Sequence, residues 1–286
     1  MTATLIDGRA MGMTLRAELR DEVRRYVRET GKAPGLVIVR VGGDAASGVY
    51  SRAILRIAND LGVTARLEQL PEQTSADELH LLLLSLNEDA AIHGIIVQMP
   101  LPAHLSQKMV ADSIAPEKDI DGISPLNAGN LFLGIPGFLP STAAAVIELL
   151  ERTNIPISSK HAVIIGRSNV VGKPLSLLLL QRNATVTLCH SRTADLNALT
   201  RQADILVAAV GRARMVTAEM VRPGAIVIDV GINALPEGGI VGDVDVDSVK
   251  EVASLLTPTP GGVGPLTNVV LLKQCVQAAW QQAKPL

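Results

Sequence analysis

The sequence predicts an α/β fold with two lobes, each built on a mainly parallel sheet. Short β-branched runs alternate with longer amphipathic segments over residues 8–98, and the alternation resumes from residue 161. This pattern favours parallel strands, because each parallel connection needs a crossover that is usually a helix. The 286 residues fit two domains, or one large one. A charged loop at residues 116–122 and a glycine- and proline-rich passage ending at Pro140 indicate the boundary.

The first lobe is predicted to open with an amphipathic helix over residues 8–30, where apolar residues recur every four positions. Strands are then expected at residues 35–40, 63–70 and 94–98, and helices at residues 47–61 and 75–86. No regular period marks the passage from residue 116 to Pro140, so no helix or strand is predicted there. A helix at residues 142–152 is expected to bridge the lobes.

The second lobe is predicted to contain five strands, at residues 162–165, 185–189, 205–208, 225–229 and 255–256. Helices fall between them, for example at residues 171–182, and the turn at Pro236–Gly239 indicates a hairpin. The last helix, from Pro265 to Ala283, is expected to pack back on the first lobe. The first lobe is therefore assigned residues 1–140 joined by the C-terminal segment 265–286, and the second lobe residues 141–264.

The stretch from Ala162 to Pro174 is the strongest local signal for a ligand. An apolar strand ends at Gly166, and a short polar turn leads through Gly172 into a leucine-rich helix. Backbone N–H groups and the positive end of a helix dipole favour a phosphate at such a turn. The spacing departs from the standard dinucleotide fingerprint, because Ser168 stands where that pattern has a glycine. On spacing alone, nucleotide binding and a plain strand-to-helix turn both remain open.

Polar residues follow the predicted strands of the second lobe, and ligands of α/β proteins gather at the carboxyl ends of strands. Arg167 lies beside the presumed phosphate turn, and Ser191 and Arg192 follow the next strand. No carboxylate that could hold a ribose hydroxyl occurs there before Asp195. This composition favours a 2′-phosphate, hence NADP over NAD. The alternative is that both arginines are solvated surface charges.

Composition excludes several classes of function. The net charge is −2 without a basic block and aromatic residues make up 2% of the chain, so nucleic acid is not an expected partner. No apolar run is long enough to span a bilayer and no signal peptide is evident, so a cytoplasmic protein without membrane contact is expected. The five histidines lack the spacing of ligand sets, so no metal is predicted.

Several residues of the first lobe could contact a substrate. Gln98 ends a strand and could orient a heterocycle, although a lone glutamine there more often bonds a loop. Asp121 could accept two N–H donors from a ring, or it could simply shape a turn. Tyr50, taken in isolation, is more often structural. The loop at residues 258–265, which contains Pro260, Gly261 and Gly262, is by itself only a loop-to-helix signal.

Six strings together resemble the methylenetetrahydrofolate dehydrogenase/cyclohydrolase family over nearly the whole chain. They are residues 97–102 (VQMPLP), 116–122 (PEKDIDG), 166–174 (GRSNVVGKP), 224–233 (GAIVIDVGIN), 241–244 (VGDV) and 260–265 (PGGVGP). The resemblance implies a Rossmann-like NADP-binding lobe beside a folate-binding catalytic lobe. It further implies oxidation of 5,10-methylenetetrahydrofolate with NADP and hydrolysis of the methenyl product to 10-formyltetrahydrofolate. Family members are cytoplasmic homodimers of one-carbon metabolism, which includes purine biosynthesis.

The resemblance also implies roles for individual residues. The catalytic and folate-binding residues of the family fall on Tyr50, Gln98 and Asp121, and its folate-bordering loop falls on Pro260, Gly261 and Gly262. Its NADP contacts fall on Gly166, Arg167, Ser168, Ser191 and Ile232, to which the strand-end argument adds Arg192.

Two positions depart from the family pattern. Ser141 replaces a cysteine, which is a mild change, and Ile54 replaces the lysine that handles protons beside the tyrosine and the glutamine. At about 100° per residue, Ile54 shares a helix face with Tyr50, whereas Arg52 and Arg56 lie on the opposite face. Isoleucine has no titratable group, so the cyclohydrolase step is expected to be weakened or lost while hydride transfer survives. A non-catalytic paralogue that binds folate or NADP is the alternative.

Overall fold

The computed structural model describes residues 2–283, apart from the side chains of Ala45 and Ala46. It contains eleven strands and ten α-helices among these residues. The strands are β1 Thr4–Leu5, β2 Gly35–Val41, β3 Thr64–Leu70, β4 Gly94–Val97, β5 His161–Ile165, β6 Thr185–Cys189, β7 Ile205–Ala208, β8 Ile226–Asp229, β9 Asn233–Ala234, β10 Ile240–Val241 and β11 Leu255–Leu256. The α-helices are α1 Gly8–Thr30, α2 Ala45–Leu61, α3 Ala76–Glu88, α4 Gln107–Ser113, α5 Pro125–Leu133, α6 Ser141–Arg152, α7 Gly172–Leu180, α8 Leu196–Thr200, α9 Val246–Val249 and α10 Val263–Ala283.

The described chain divides into two units. One unit holds the residues before Thr14 and Thr142–Thr267, and the other holds Thr14–Ser141 and the residues from Asn268 onward. We call them the six-stranded unit and the three-stranded unit, after the larger sheet in each. The α/β class with parallel sheets, predicted from the alternation of strands and helices, is confirmed.

The three-stranded unit has the strand order β3-β2-β4, with every pair parallel. Helix α2 connects β2 to β3 on one side, and α3 then leads back to β4 on the other side of β2. The order in which strands are added therefore reverses at β2, while the strands themselves stay parallel. Open α/β sheets bind ligands at such a switch point. Helix α3 packs its leucines on this sheet, and a capping box between Ser75 and Glu78 fixes the start of the helix.

The six-stranded unit has the strand order β1-β11-β8-β7-β5-β6, again with parallel pairs throughout. The order reverses at β5, because β6 lies on one side of it and β7 on the other. The carboxyl ends of β5 and β7 thus form a second switch point. The antiparallel pair of β9 and β10 confirms the hairpin that the Pro236–Gly239 turn indicates.

Two regions differ from the sequence-based assignment. The residues before Thr14 group with the six-stranded unit rather than with residues 14–140, because β1 pairs in parallel with β11. Helix α5 lies inside the passage where no period is visible. The residues at its ends are instead typical of helix termini. Ser124 caps the N-terminus, Pro125 occupies the first turn, and Gly134 adopts the left-handed conformation at the C-terminus.

The C-terminal helix packs in the three-stranded unit, as the sequence predicts. On α10, the side chain of Gln274 bonds the backbone of Ile120 and Leu139, and that of Gln282 bonds the carbonyl oxygens of His93 and Glu117. Residues 284–286, which the sequence assigns to this segment, lie outside the described residues. Over residues 2–283, the helices are all too short or too polar to cross a bilayer.

Candidate functional site

The turn between β5 and α7 is shaped by close approaches of the backbone. Gly166 has φ +122°, and a Cβ atom on it would lie 2.1 Å from the carbonyl oxygen of Ala209, which follows β7. A Cβ atom on Gly172 would lie 1.9 Å from the carbonyl oxygen of Gly166. Both glycines are therefore required to bring the ends of β5, β7 and the start of α7 together, as a phosphate-binding turn requires.

The side chains of this turn remain on its surface. Ser168 accepts a hydrogen bond from the N–H of Val171 at 3.1 Å and so stabilises the turn. Val171 supplies no side-chain cap to the first turn of α7. Arg167 is exposed and has no ion-pair partner among the described residues. The turn thus offers a helix N-terminus, a hydroxyl and a free guanidinium at one place.

The loop after β6 presents the second group of sequence-predicted residues. Its backbone is closed by His190, whose Nδ1 accepts from the N–H of Arg192 at 3.1 Å and whose N–H donates to Thr193 Oγ1 at 2.8 Å. The side chains of Ser191 and Arg192 are left exposed. Asp195 instead caps α8 by accepting from the N–H of Ala198 at 3.2 Å. The loop therefore offers the exposed guanidinium of Arg192, while the carboxylate of Asp195 already accepts a bond from α8. This combination suits a phosphate better than a ribose hydroxyl.

Two buried aspartates, to which the sequence argument assigns no role, hold the loops after β7 and β8. Asp243 accepts from the N–H groups of residues 210, 211 and 212 and from Asn233 Nδ2. Asp229 accepts from the N–H groups of residues 231, 243 and 244. Burial raises the pKa of Asp229 to about 6, against these hydrogen bonds, which lower it. Each aspartate has a glycine close to it in the sequence, Gly231 after Asp229 and Gly242 before Asp243. A Cβ atom on Gly231 would collide with the carboxylate of Asp243, and one on Gly242 would collide with that of Asp229.

The remaining residues proposed for the cofactor and the folate border also follow strands of the six-stranded sheet. Ile232 comes after β8 and is 63% exposed, which is unusual for a large apolar side chain. The loop after β11 contains Gly261 at φ +115°, next to a cis peptide bond that precedes Pro260. Gly262 packs so closely on Gly8 that a Cβ atom on Gly8 would lie 1.8 Å from its carbonyl oxygen. All these residues lie at the carboxyl edge of the sheet.

Gln98 follows β4 at the carboxyl edge of the three-stranded sheet. Its N–H donates to the carbonyl oxygen of Val39 at 2.8 Å, which extends the pairing of β4 with β2 by one residue. The residue is 5% exposed, and its side-chain amide makes no hydrogen bond to the described residues, but its polar atoms are not among the fully buried ones that lack a partner. The amide is therefore available to a ligand without being a costly buried group.

Asp121 lies beside the three-stranded sheet, near Tyr50. Asp119 forms a parallel bridge with Ile95, and Asp121 follows in a turn that the bond from the Gly122 N–H to the Asp119 carbonyl oxygen closes. Burial raises the pKa of Asp121 to about 6, while hydrogen bonds from Ser141 lower it. The negative charge of Asp121 in turn adds to burial in raising the pKa of Tyr50 above its usual range. Tyr50 and Asp121 therefore lie close enough to interact, and Tyr50 keeps its proton at neutral pH.

The two aspartates of the 116–122 loop have different hydrogen-bond partners. Asp119 is fully buried and accepts from the N–H groups of Ile123 and Ser124 and from the side chain of Asn127. These bonds fold the loop and anchor α5, which is a structural task. Over the described part of the chain, Asp121 accepts from the N–H of Ser141 and retains capacity for further donors.

Ile54 is fully buried, with an exposed fraction of 0%, one helical turn after Tyr50 in α2. Two cations of the three-stranded unit, Lys118 and Arg40, bond backbone carbonyl oxygens. Lys118 donates to the carbonyl oxygens of Leu86 and Asp89 at the end of α3, and burial lowers its pKa. Arg40 donates to the carbonyl oxygen of Gly42, and its guanidinium lies against Gly48, about 120° around α2 from Ile54.

These features define an α/β protein with a dinucleotide-type turn in one unit and a buried polar site in the other. Comparison with known proteins specifies the family. Residues 6–121 match the catalytic domain of tetrahydrofolate dehydrogenase/cyclohydrolase, and residues 140–283 match the NAD(P)-binding domain of the same family. The chain belongs to the tetrahydrofolate dehydrogenase/cyclohydrolase family.

Individual relatives agree over the full length. The chain is 49% identical to the bifunctional protein FolD of Roseiflexus sp., covering 99% of this chain and 98% of the relative. The crystal structure of the bifunctional FolD enzyme from Campylobacter jejuni is 41% identical, with a TM-score of 0.95 over 98% of this chain and 99% of that one. The Trypanosoma brucei enzyme, complexed with NADP cofactor and inhibitor, is 36% identical, with a TM-score of 0.96 and full coverage of both chains.

Proposed function

We propose that this protein oxidises 5,10-methylenetetrahydrofolate with NADP and that its cyclohydrolase activity is weakened because Ile54 replaces a proton-handling lysine. The observation that carries the folate assignment is the side-chain amide of Gln98, which bonds none of the described residues and follows β4 at the switch point of the three-stranded sheet. The full-length similarity to bifunctional FolD enzymes supports the reaction class. We also propose that the active form is a cytoplasmic homodimer, as the family resemblance implies.

NADP is assigned to the six-stranded unit. The Gly166–Gly172 turn and the N-terminus of α7 cradle the pyrophosphate, while Arg167, Ser191 and Arg192 face the 2′-phosphate. Ile232 offers an apolar surface to the nicotinamide end. When bound, NADP accepts a hydride, and the chain's own residues only position it. The absence of a free carboxylate in the loop after β6, where Asp195 caps α8, favours NADP over NAD.

The folate is assigned to the three-stranded unit. The amide of Gln98 donates to and accepts from the heterocycle, and Asp121 accepts N–H donors from the pterin ring. Tyr50 keeps its phenolic proton and serves as a donor near the reacting bridge. These groups orient the methylene bridge for hydride loss, which depends on position rather than on proton transfer.

Hydrolysis of the methenyl bridge makes a different demand. Water must be activated and a proton moved, and general acid–base groups typically contribute about 10²–10⁴-fold to such a step. Ile54 can do neither, and Lys118 and Arg40 donate to the carbonyl oxygens of Leu86, Asp89 and Gly42. The dehydrogenase step is therefore expected to proceed without an efficient second step.

A two-channel assay tests the proposal. Protein is mixed with NADP and methylenetetrahydrofolate, and NADPH and the methenyl product are followed separately. NADPH formation with methenyl accumulation is the expected result. Absence of turnover, together with thermal stabilisation by either ligand, would instead support a non-catalytic binding paralogue, an alternative that the substitution at Ile54 favours.

A further inference from the structure

Three successive backbone N–H groups after β7 point at one carboxylate, that of Asp243. Its Oδ2 atom accepts from the N–H groups of Val210 and Gly211 at 2.6 and 3.0 Å. Its Oδ1 atom accepts from the N–H of Arg212 at 2.8 Å. Gly211 and Arg212 are exposed, whereas Asp243 is fully buried. Successive N–H groups that converge in this way form a site for an anion, and here the anion is a side chain of the protein itself.

The same carboxylate also holds the loop after β8. Nδ2 of Asn233 donates to Oδ1 of Asp243 at 3.0 Å, and Ile232 directly precedes this asparagine. A Cβ atom on Gly231 would lie 2.3 Å from Cγ of Asp243, so the backbone of the loop packs against the carboxylate. Asp243 therefore contacts the loop after β7 and the loop after β8 at once.

Asp243 is itself held by buried groups of the six-stranded sheet. Asp229, the last residue of β8, accepts from the N–H groups of Asp243 and Val244 at 3.0 and 3.1 Å. The N–H of Asp229 donates to Oγ1 of Thr257, which follows β11, at 2.7 Å. Asp229 and Thr257 are 1% and 0% exposed. The position of Asp243 is thus determined by the sheet rather than by the two loops that it holds.

The two loops lie on one side of the switch point at β5. Strand β6, which Ser191 and Arg192 follow, lies on the other side. A dinucleotide at such a switch point spreads its two halves over the two sides of the crevice. The proposed contacts to the 2′-phosphate are on the β6 side. The nicotinamide half is therefore left to the loops after β7 and β8, where Ile232 is exposed.

We propose that Asp243 is a positioning residue that holds the loops after β7 and β8 side by side and so shapes the nicotinamide half of the cofactor site. The identity of the ligand rests on the proposed function. The arrangement of the two loops on Asp243 is a property of the ligand-free protein.

Two ligands distinguish this role from a general effect on stability. NADP spans both sides of the switch point, whereas adenosine 2′,5′-bisphosphate lacks the nicotinamide half. Asp243→Asn keeps the shape of the side chain, but its –NH₂ group cannot accept from backbone N–H groups. Calorimetry on the full chain is expected to show about tenfold weaker binding of NADP, the loss that corresponds to about one hydrogen bond to a charged group. Binding of the bisphosphate is expected to stay unchanged.

A milder variant and a matched control accompany Asp243→Asn. Asn233→Ala removes the bond to the loop after β8 and leaves the three N–H groups after β7 on Asp243. It is expected to cause a smaller loss of NADP affinity and no loss of bisphosphate affinity. Asp204 also accepts from a backbone N–H, that of His161 at 2.9 Å, but it lies just before β7 at the other edge of the sheet. Asp204→Asn is expected to change the binding of neither ligand.

Amide hydrogen exchange of the ligand-free protein tests the loop arrangement itself. In Asp243→Asn, the N–H groups of residues 210–212 are expected to exchange about tenfold faster than in the wild type. Arg214 and Val216 are internal controls in the same loop. Their N–H groups donate to the backbone carbonyl oxygens of Gly242 and Asp243, so their exchange rates are expected to stay the same.

The outcomes separate this inference from the proposed function. Equal losses of affinity for NADP and the bisphosphate, or unchanged NADP binding by Asp243→Asn, would refute the positioning role. Equally faster exchange over all of residues 210–216 would also refute it, because the loop would then depend on general packing. A wild-type protein that binds no NADP, together with faster exchange confined to residues 210–212, would refute the proposed function and support the loop arrangement.

Discussion

The turn after β5 and the helix α2 carry the two halves of the proposed chemistry and are built by different means. The turn is built from backbone, because Gly166 and Gly172 let carbonyl groups approach where any Cβ atom would collide. Helix α2 presents side chains, with Tyr50 and Ile54 one turn apart. A site built from backbone tolerates changes around its glycines, whereas a site built from side chains changes its chemistry with one substitution. If the proposed function holds, this difference explains how the chain could keep cofactor binding while its proton-transfer step is weakened.

The largest expected effect comes from restoring the missing cation. Ile54→Lys should raise cyclohydrolase turnover by about 10²-fold, the lower end of what an acid–base group contributes. Dehydrogenase turnover should change much less. The measurement is the rate of methenyltetrahydrofolate decay, with buffer alone subtracted.

Leu55→Lys is the control for that variant. It also places a lysine in α2, at a half-buried leucine beside Ile54, but about 140° around the helix from Tyr50. Equal gains in both variants, or no gain in Ile54→Lys when it binds folate normally, would contradict the role given to position 54.

The backbone half is tested at Gly172. Gly172→Ala places a Cβ atom 1.9 Å from the carbonyl oxygen of Gly166, so the turn must move. The free energy of unfolding should fall by about 1–3 kcal/mol, as in overpacked cores, and NADP affinity should fall with it. Gly129→Ala is the control, because nothing lies within 4 Å of its Cβ position in α5. A variant that binds NADP like the wild type would show that the turn does not hold the phosphates.

The arginines test the choice between NADP and NAD. Arg167→Gln and Arg192→Gln should each weaken NADP binding about tenfold, since a charge-assisted hydrogen bond is lost, and should leave the weaker NAD binding unchanged. Calorimetry with both cofactors measures this. Arg222→Gln removes an exposed arginine that pairs with Asp204, which lies just before β7 at the other edge of the sheet, and should affect neither cofactor. Equal losses for NADP and NAD would argue against contacts with the 2′-phosphate.

The smallest effect is the pH dependence of folate binding. Asp121 has a pKa of about 6 in the folded protein, against an ordinary value of 3.8. Folate affinity should therefore halve on going from well above pH 6 to pH 6, because half of the carboxylate is then protonated. Stability should move the opposite way: the folded state binds the proton that the unfolded state has released, so this group's contribution to stability falls as pH rises from about 4 to 6. Asp121→Asn should remove both dependences, and an unchanged pH profile would contradict the assignment.

The sequence predicts the regular elements well and the site unevenly, for physical reasons. Strands and long helices are predicted by the periodic spacing of their apolar residues. Helix α5 has only capping residues at its ends, and β1 is two residues long, too short for any period. Glycine spacing reveals the phosphate turn because its backbone geometry excludes other residues. Asp119 and Asp121 look alike in the sequence, and only their hydrogen-bond partners separate the structural carboxylate from the available one. Asp243 and Gln274 act across long sequence separations, which no local pattern encodes.

The most direct test of the central claim is to supply methenyltetrahydrofolate to the wild-type protein and compare its kcat/KM for hydrolysis with its kcat/KM for NADP-dependent oxidation of methylenetetrahydrofolate. Because the proposed cofactor site is built from backbone and the proposed folate site has Ile54 where the family pattern has a lysine, oxidation is expected to exceed hydrolysis by about 10²-fold or more. A wild-type protein that hydrolyses the methenyl compound as fast as it oxidises the methylene compound would contradict the account of Ile54.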